Sequence, residues 1–98
     1  MEFTVKYKVT SKRDPDKVFE SVEEFWAFHD TTTTNDEPEE RARLEGDNLL
    51  DKFSVLDEDG KSVIHTKIWI DEEVFNEYHK AITKDLIEED EDLTFTRI

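Results

Sequence analysis

The chain predicts an α+β domain of four strands and two main helices, and three observations carry that reading. Residues 2–10 alternate strictly, with Phe3, Val5, Tyr7 and Val9 on one face and Thr4, Lys6, Lys8 and Thr10 on the other. That is the period of a strand with one buried face. Residues 52–70 read as strand, tight turn and strand, the turn being Asp57-Glu58-Asp59-Gly60. Two stretches, opening at Ser21 and Asp71, place apolar residues at helical spacing behind a capping side chain.

Ninety-eight residues make one domain, 1–98, whose single modest core removes roughly 60–65% of the unfolded chain's surface. Only 35% of residues are hydrophobic, but 11% are aromatic, so large rings must anchor that core. Cysteine is absent, which removes disulfides, thiolate nucleophiles and Cys-bound zinc together. No apolar run approaches the ~18 residues of a membrane span. The alternating N-terminus lacks the basic start and apolar block of a signal peptide. A soluble cytoplasmic protein is the expectation.

The formal net charge is −14, from 27 acids against 13 bases. Affinity for nucleic acid or an anionic membrane rests on cationic side chains, so the balance argues against both. It favours a partner protein with a basic surface, although solubility alone would also account for the acids.

Taken in order, residues 11–17 form a polar turn around Asp14-Pro15, and Val18-Phe19 add a short extended piece. Ser21-Val22-Glu23-Glu24 has the capping-box pattern. The helix behind it carries Val22, Phe25, Trp26 and His29 on one stripe, with Phe28 at its edge. Four threonines, Thr31 to Thr34, stop it, because β-branched residues with competing hydroxyls are poor helix formers. Pro38 suits the first turn of a short surface helix and Gly46 its end. Leu49-Leu50 then bring the chain back to the core.

Within the hairpin, Phe53 and Val55 share one face, as do Ile64, Ile68 and Ile70 across the turn. Read as inward, that set leaves Leu56, Val63, His65, Lys67 and Trp69 outward. Asp71 caps the second helix, Glu72 and Glu73 favour its positive end, and Val74, Phe75, Tyr78, Ile82 and Leu86 form its buried stripe. Five consecutive acids, 88–92, end it, and residues 93–98 make a last strand with Leu93 and Phe95 on one side.

This βαββαβ order resembles the ferredoxin-like architecture across nearly the whole chain. The resemblance implies a four-stranded antiparallel sheet in order 4-1-3-2, both main helices on one face, and a helical or loop insertion at 31–50. Within that architecture the chain is similar to dimeric α+β barrel proteins, in which two sheets face each other. Its short acidic character resembles small proteins of tailed phages.

Charge follows the elements. Residues 20–47 and 71–92 each hold ten acids and two bases, −8 apiece, whereas the remainder sums to +2. The helical side should therefore be strongly negative, with Glu72, Glu73, Glu77, Asp85, Glu88 and Glu89 as its partner-binding residues. The open sheet face should be neutral to basic, with Lys6, Lys8, His65, Lys67 and Trp69 as the second candidate surface.

Catalytic and metal chemistry has little support. His29, His65 and His79 sit on three elements without ligand spacing. Asp57-Glu58-Asp59-Gly60 runs straight into a strand, where a calcium loop would need further ligands at fixed offsets. Gly46 and Gly60 are the only glycines, too few for a phosphate loop, and no serine has a nucleophile-elbow context. No cofactor and no enzymatic activity are expected.

The leading functional expectation is a non-enzymatic inhibitor or regulator whose acidic face docks on a basic partner, with nucleic-acid mimicry as its sharp form. A dimeric α+β barrel enclosing a small apolar ligand at Trp69, Leu56, Val63 and His65 is the alternative, and an RNA-binding sheet is third. Homodimers through the sheet face or the edge strand 93–98 accompany these readings. Mutual repulsion among the acids also predicts that mild acidification first raises the melting temperature.

Overall fold

The computed structural model describes residues 1–29, 38–83 and 92–98. Its elements are β1 (Phe3–Ser11), α1 (Val22–Phe28), α2 (Pro38–Glu45), β2 (Leu49–Leu56), β3 (Ser62–Trp69), α3 (Glu72–Tyr78) and β4 (Leu93–Arg97). The turn Gly46–Asn48 joins α2 to β2, and a π turn, His79–Thr83, continues α3. All strand pairs are antiparallel, in the order β2-β3-β1-β4, so β1 and β3 are the central strands of an open α+β sheet.

Local chemistry explains both main helix starts. Ser21 accepts the Glu24 N–H at 3.1 Å, and the Glu24 carboxylate reaches back to the Glu20 N–H at 3.0 Å. At α3 the Asp71 carboxylate accepts the Val74 N–H at 2.9 Å. His29 closes α1 and is buried. Its Nδ1 lies 2.7 Å from the Phe25 carbonyl oxygen and its Nε2 2.7 Å from Ser11 Oγ. A carbonyl only accepts, so Nδ1 donates; in the neutral ring Nε2 then accepts the Ser11 hydroxyl.

The core is aromatic. Phe19 and Phe25 meet edge to face at 5.0 Å, and Trp69 packs on Tyr78 at 4.8 Å. Val5, Val9, Val63 and Leu93 fill the sheet surface beneath, and Leu44 from α2 joins them. Val18 is exposed and no strand forms at Val18-Phe19; Phe19 instead buries its ring and donates its N–H to Gly60 at 2.8 Å.

One expectation is overturned. Val63, His65, Lys67 and Trp69 face the helices, whereas Ile64, Ile68, Phe53 and Val55 face outward. Trp69 is directly opposite Phe3, Lys67 opposite Val5, His65 opposite Tyr7 and Val63 opposite Val9. Directly paired residues share a face, and Val5, Tyr7 and Val9 are buried. The parity of β1 therefore dictates that of β3, and through it that of β2. β3 carries apolar residues at both parities, so alternation alone did not choose between them. A one-residue change of register moves every side chain to the other face.

The turn 57–60 is a tight hairpin connection. The Gly60 N–H donates to the Asp57 carbonyl and the Asp57 N–H to the Ser62 carbonyl, both at 2.9 Å. Gly60 sits at φ +70°, and a Cβ there would stand 2.9 Å from Val18 Cγ1 and 3.4 Å from the Phe19 carbonyl oxygen. Gly60→Ala should cost about 1–2 kcal/mol, lowering the melting temperature by roughly 5–15 °C. Gly60→Asn should cost less, because Asn tolerates positive φ. Equal losses would show that the contact with Val18 and Phe19, rather than φ, governs the position.

Candidate functional site

Three groups of polar residues emerge from this arrangement. The first is the outer surface of the helices. Phe75 and Tyr78 point inward from α3, which leaves Glu72, Glu73 and Glu77 exposed. Glu73 and Glu77 are one turn apart, a like-charge pair worth about 0.2–0.5 kcal/mol of repulsion. On α1, Glu23 is exposed, while Glu24 serves the helix start and approaches Lys17 at 4.0 Å. Asp85, Glu88 and Glu89 lie outside the described residues.

The second group is the open face of the sheet. Lys6 is exposed there, opposite Thr66, and Lys8 lies opposite Ile64 and pairs with Asp57 at 3.1 Å. The Asp57 carboxyl is held below its ordinary value, first by the Glu58 N–H and then by Lys8. His65, Lys67 and Trp69, expected beside these lysines, lie on the opposite side of the sheet. In their place stand Phe53, 45% exposed, and Val55, 51% exposed.

The third group lies between sheet and helices, and sequence did not reveal it as a unit. Lys67 Nζ donates to Glu45 Oε1 at 2.8 Å and to the Tyr78 hydroxyl at 2.9 Å, standing 4.4 Å from the Tyr78 ring centre. Glu45 Oε2 lies 3.8 Å from Lys52 Nζ, so one carboxylate from α2 bridges lysines on β2 and β3. Beside them, His65 Nδ1 and Ser54 Oγ are 2.6 Å apart, and the edge of Trp26 closes over the imidazole at 6.1 Å. Burial first, then Lys67 and Lys52, push the His65 pKa down to about 4. The ring is therefore neutral at pH 7.

A hydroxyl and an imidazole in contact form part of a nucleophilic triad, but a triad needs a third group to orient the base. Among the described residues no side chain hydrogen-bonds His65 Nε2, and Glu45 is committed to the two lysines. The cluster acts as a fastening between α2 and the hairpin. One signal of it was readable: Lys52 and Lys67 stand directly opposite each other on neighbouring strands, which calls for an intervening acid. That Glu45 supplies it depends on how α2 docks.

Among the described residues, no group of three or more His, Cys, Asp or Glu side chains is arranged to hold a metal ion. No described helix is long and apolar enough to cross a membrane. Comparison with protein-family models, with curated proteins and with solved structures returned no match.

Proposed function

We propose that this chain is a non-enzymatic interaction protein, an inhibitor or regulator with a ferredoxin-like topology, whose acidic helix layer docks on a basic surface of a partner protein. The observation that supports this most directly is the segregation of charge. Glu72, Glu73 and Glu77 project together from α3, and each helical segment of the chain carries −8. The strand order, read from β4, is 4-1-3-2, compatible with that topology. Spaced carboxylates on a helical surface also suit occupation of a nucleic-acid channel, the mimic form of the same reading.

The competing readings lose their residues. Trp69, Leu56, Val63 and His65, which would line an apolar ligand site on the open sheet, all face the helices. Trp69, the stacking residue of an RNA-binding sheet, is fully buried.

The test compares the wild-type chain with the triple variant Glu72→Lys, Glu73→Lys, Glu77→Lys as immobilised bait in host lysate. A partner retained at about 50 mM salt should be released at about 0.5 M, where the Debye length shrinks to ~4 Å. The triple variant should bind it roughly 10–100-fold more weakly, and duplex DNA should compete if the mimic form holds. Retention that ignores both salt and charge reversal would refute the docking mode, as would the absence of any partner at low salt.

A further inference from the structure

We infer that the open face of the sheet is a self-association surface, covered by a second copy of this chain packed face to face across a two-fold axis. No described helix lies on this face. Phe53 and Val55 on β2 are 45% and 51% exposed, and Ile64 and Ile68 on β3 are half-buried directly beside them. Val55 pairs with Ile64, while Phe53 pairs with Thr66, between the two isoleucines. The four apolar side chains thus form one continuous stripe along the β2–β3 half. Singly exposed apolar residues need no explanation, but a contiguous stripe on an uncovered sheet does.

Two arguments identify a copy of the chain as the occupant. The first is charge. At −14, any two copies repel. Approach through the helix layers would press two acidic surfaces together. Approach through the sheets instead brings together faces whose charges balance, Lys6 and Asp51 standing beside the ion pair Lys8–Asp57. Sheets pack ~10 Å apart and each helix layer adds ~10 Å outside, so the acidic surfaces end up roughly 30 Å from one another. That exceeds the Debye length of ~8 Å at physiological salt several-fold.

The second argument is area. Strands of nine, eight, eight and five residues present a face of about 475 Å², so a pair of faces would bury about 950 Å². That is the size of a weak, transient interface, below the ~1,200 Å² of stable ones. A two-fold axis crossing the β2–β3 half sets each stripe against its own copy, as isologous contacts require.

The expected dimer is weak and strengthens with salt, the opposite of the acidic docking contact. Sedimentation equilibrium over about 5–500 µM should show the mass rising from 11.7 kDa towards twice that, at lower concentration in ~0.5 M than in ~0.05 M salt. Phe53→Asp and, separately, Val55→Lys should each stay monomeric while keeping the far-ultraviolet spectrum of the parent. Amide signals of Ile64 and Ile68 should shift on dilution of the wild type and stay constant in these variants. Reversal of Glu72, Glu73 and Glu77 should leave the dimer intact. A mass that stays monomeric throughout overturns the inference. So does a dimer that survives both β2 variants, or one abolished by the acidic triple variant.

Discussion

Trp69→Ala is expected to cost about 3–5 kcal/mol of stability, whereas Phe53→Ala costs about 1 kcal/mol or less. Trp69 is fully buried, packed on Tyr78 at 4.8 Å and near Phe75 at 6.3 Å. Its removal leaves a void between β3 and α3 that neither element can fill without moving. A domain of this size holds about 5–15 kcal/mol in all, so the alanine variant approaches global unfolding. With a urea slope of about 1–2 kcal/mol per molar, its midpoint should fall by roughly 2 M or more. Trp69→Phe should be milder, about 1–2 kcal/mol, because it keeps most of the ring and deletes an Nε1–H that has no acceptor among the described residues. Urea denaturation of the three variants decides the matter. If Phe53→Ala proves the costlier change, the faces of β3 are reversed relative to this structure.

His65 should make the protein acid-sensitive well above the carboxylate range. Its ordinary pKa of 6.5 applies to the unfolded chain, while in the fold burial and the neighbouring lysines hold it at about 4. The unfolded state therefore takes up the proton first as pH falls. The stability at stake is fully present above pH 6.5 and is lost progressively down to pH 4, up to about 3 kcal/mol. At pH 5 the loss is about 2 kcal/mol, or roughly 8–16 °C in melting temperature. Relief of repulsion among exposed acids acts in the other direction.

The wild type should consequently lose melting temperature from pH 7 to 5, contrary to the rise that charge repulsion alone would give. In His65→Gln the fall should vanish, leaving a flat or rising profile. A wild-type profile that rises, or a variant that falls as steeply as the wild type, would show that His65 does not control the response. Ser54, Trp26 and the directly paired Tyr7 stand around the ring, and of the charged groups that act on it, Lys67, Lys52 and Glu45, only Glu45 favours its protonation.

Much of the framework was legible because its causes are local. β1 shows its buried face through Phe3, Val5, Tyr7 and Val9, since the opposite parity is entirely Thr and Lys. Ser21 and Asp71 announce their helices because a capping side chain needs only the amides of its own first turn. Gly60 marks the hairpin because its positive φ belongs to the turn itself. The surface candidates fared unevenly. Glu72, Glu73 and Glu77 are exposed and Lys6 and Lys8 lie on the open face, but His65, Lys67 and Trp69 belong to the interior.

The reason for that division is that periodicity reports which residues share a face and is silent on which face is buried. In β3 both parities are plausible cores, Val63 and Trp69 on one and Ile64 and Ile68 on the other. Hydrophobicity alone favours the isoleucine side, because the other side also carries His65 and Lys67. The choice was made by contacts distant in sequence. Pairing to β1 set the parity, Tyr78 and Phe75 received the indole, and Glu45 with the Tyr78 hydroxyl met the charge of Lys67, so its burial became tolerable. Sequence by itself determined the elements, their caps and the separation of charge. The tertiary structure alone decided which side of the hairpin looks outward, because only there does a partly buried cation find its carboxylate.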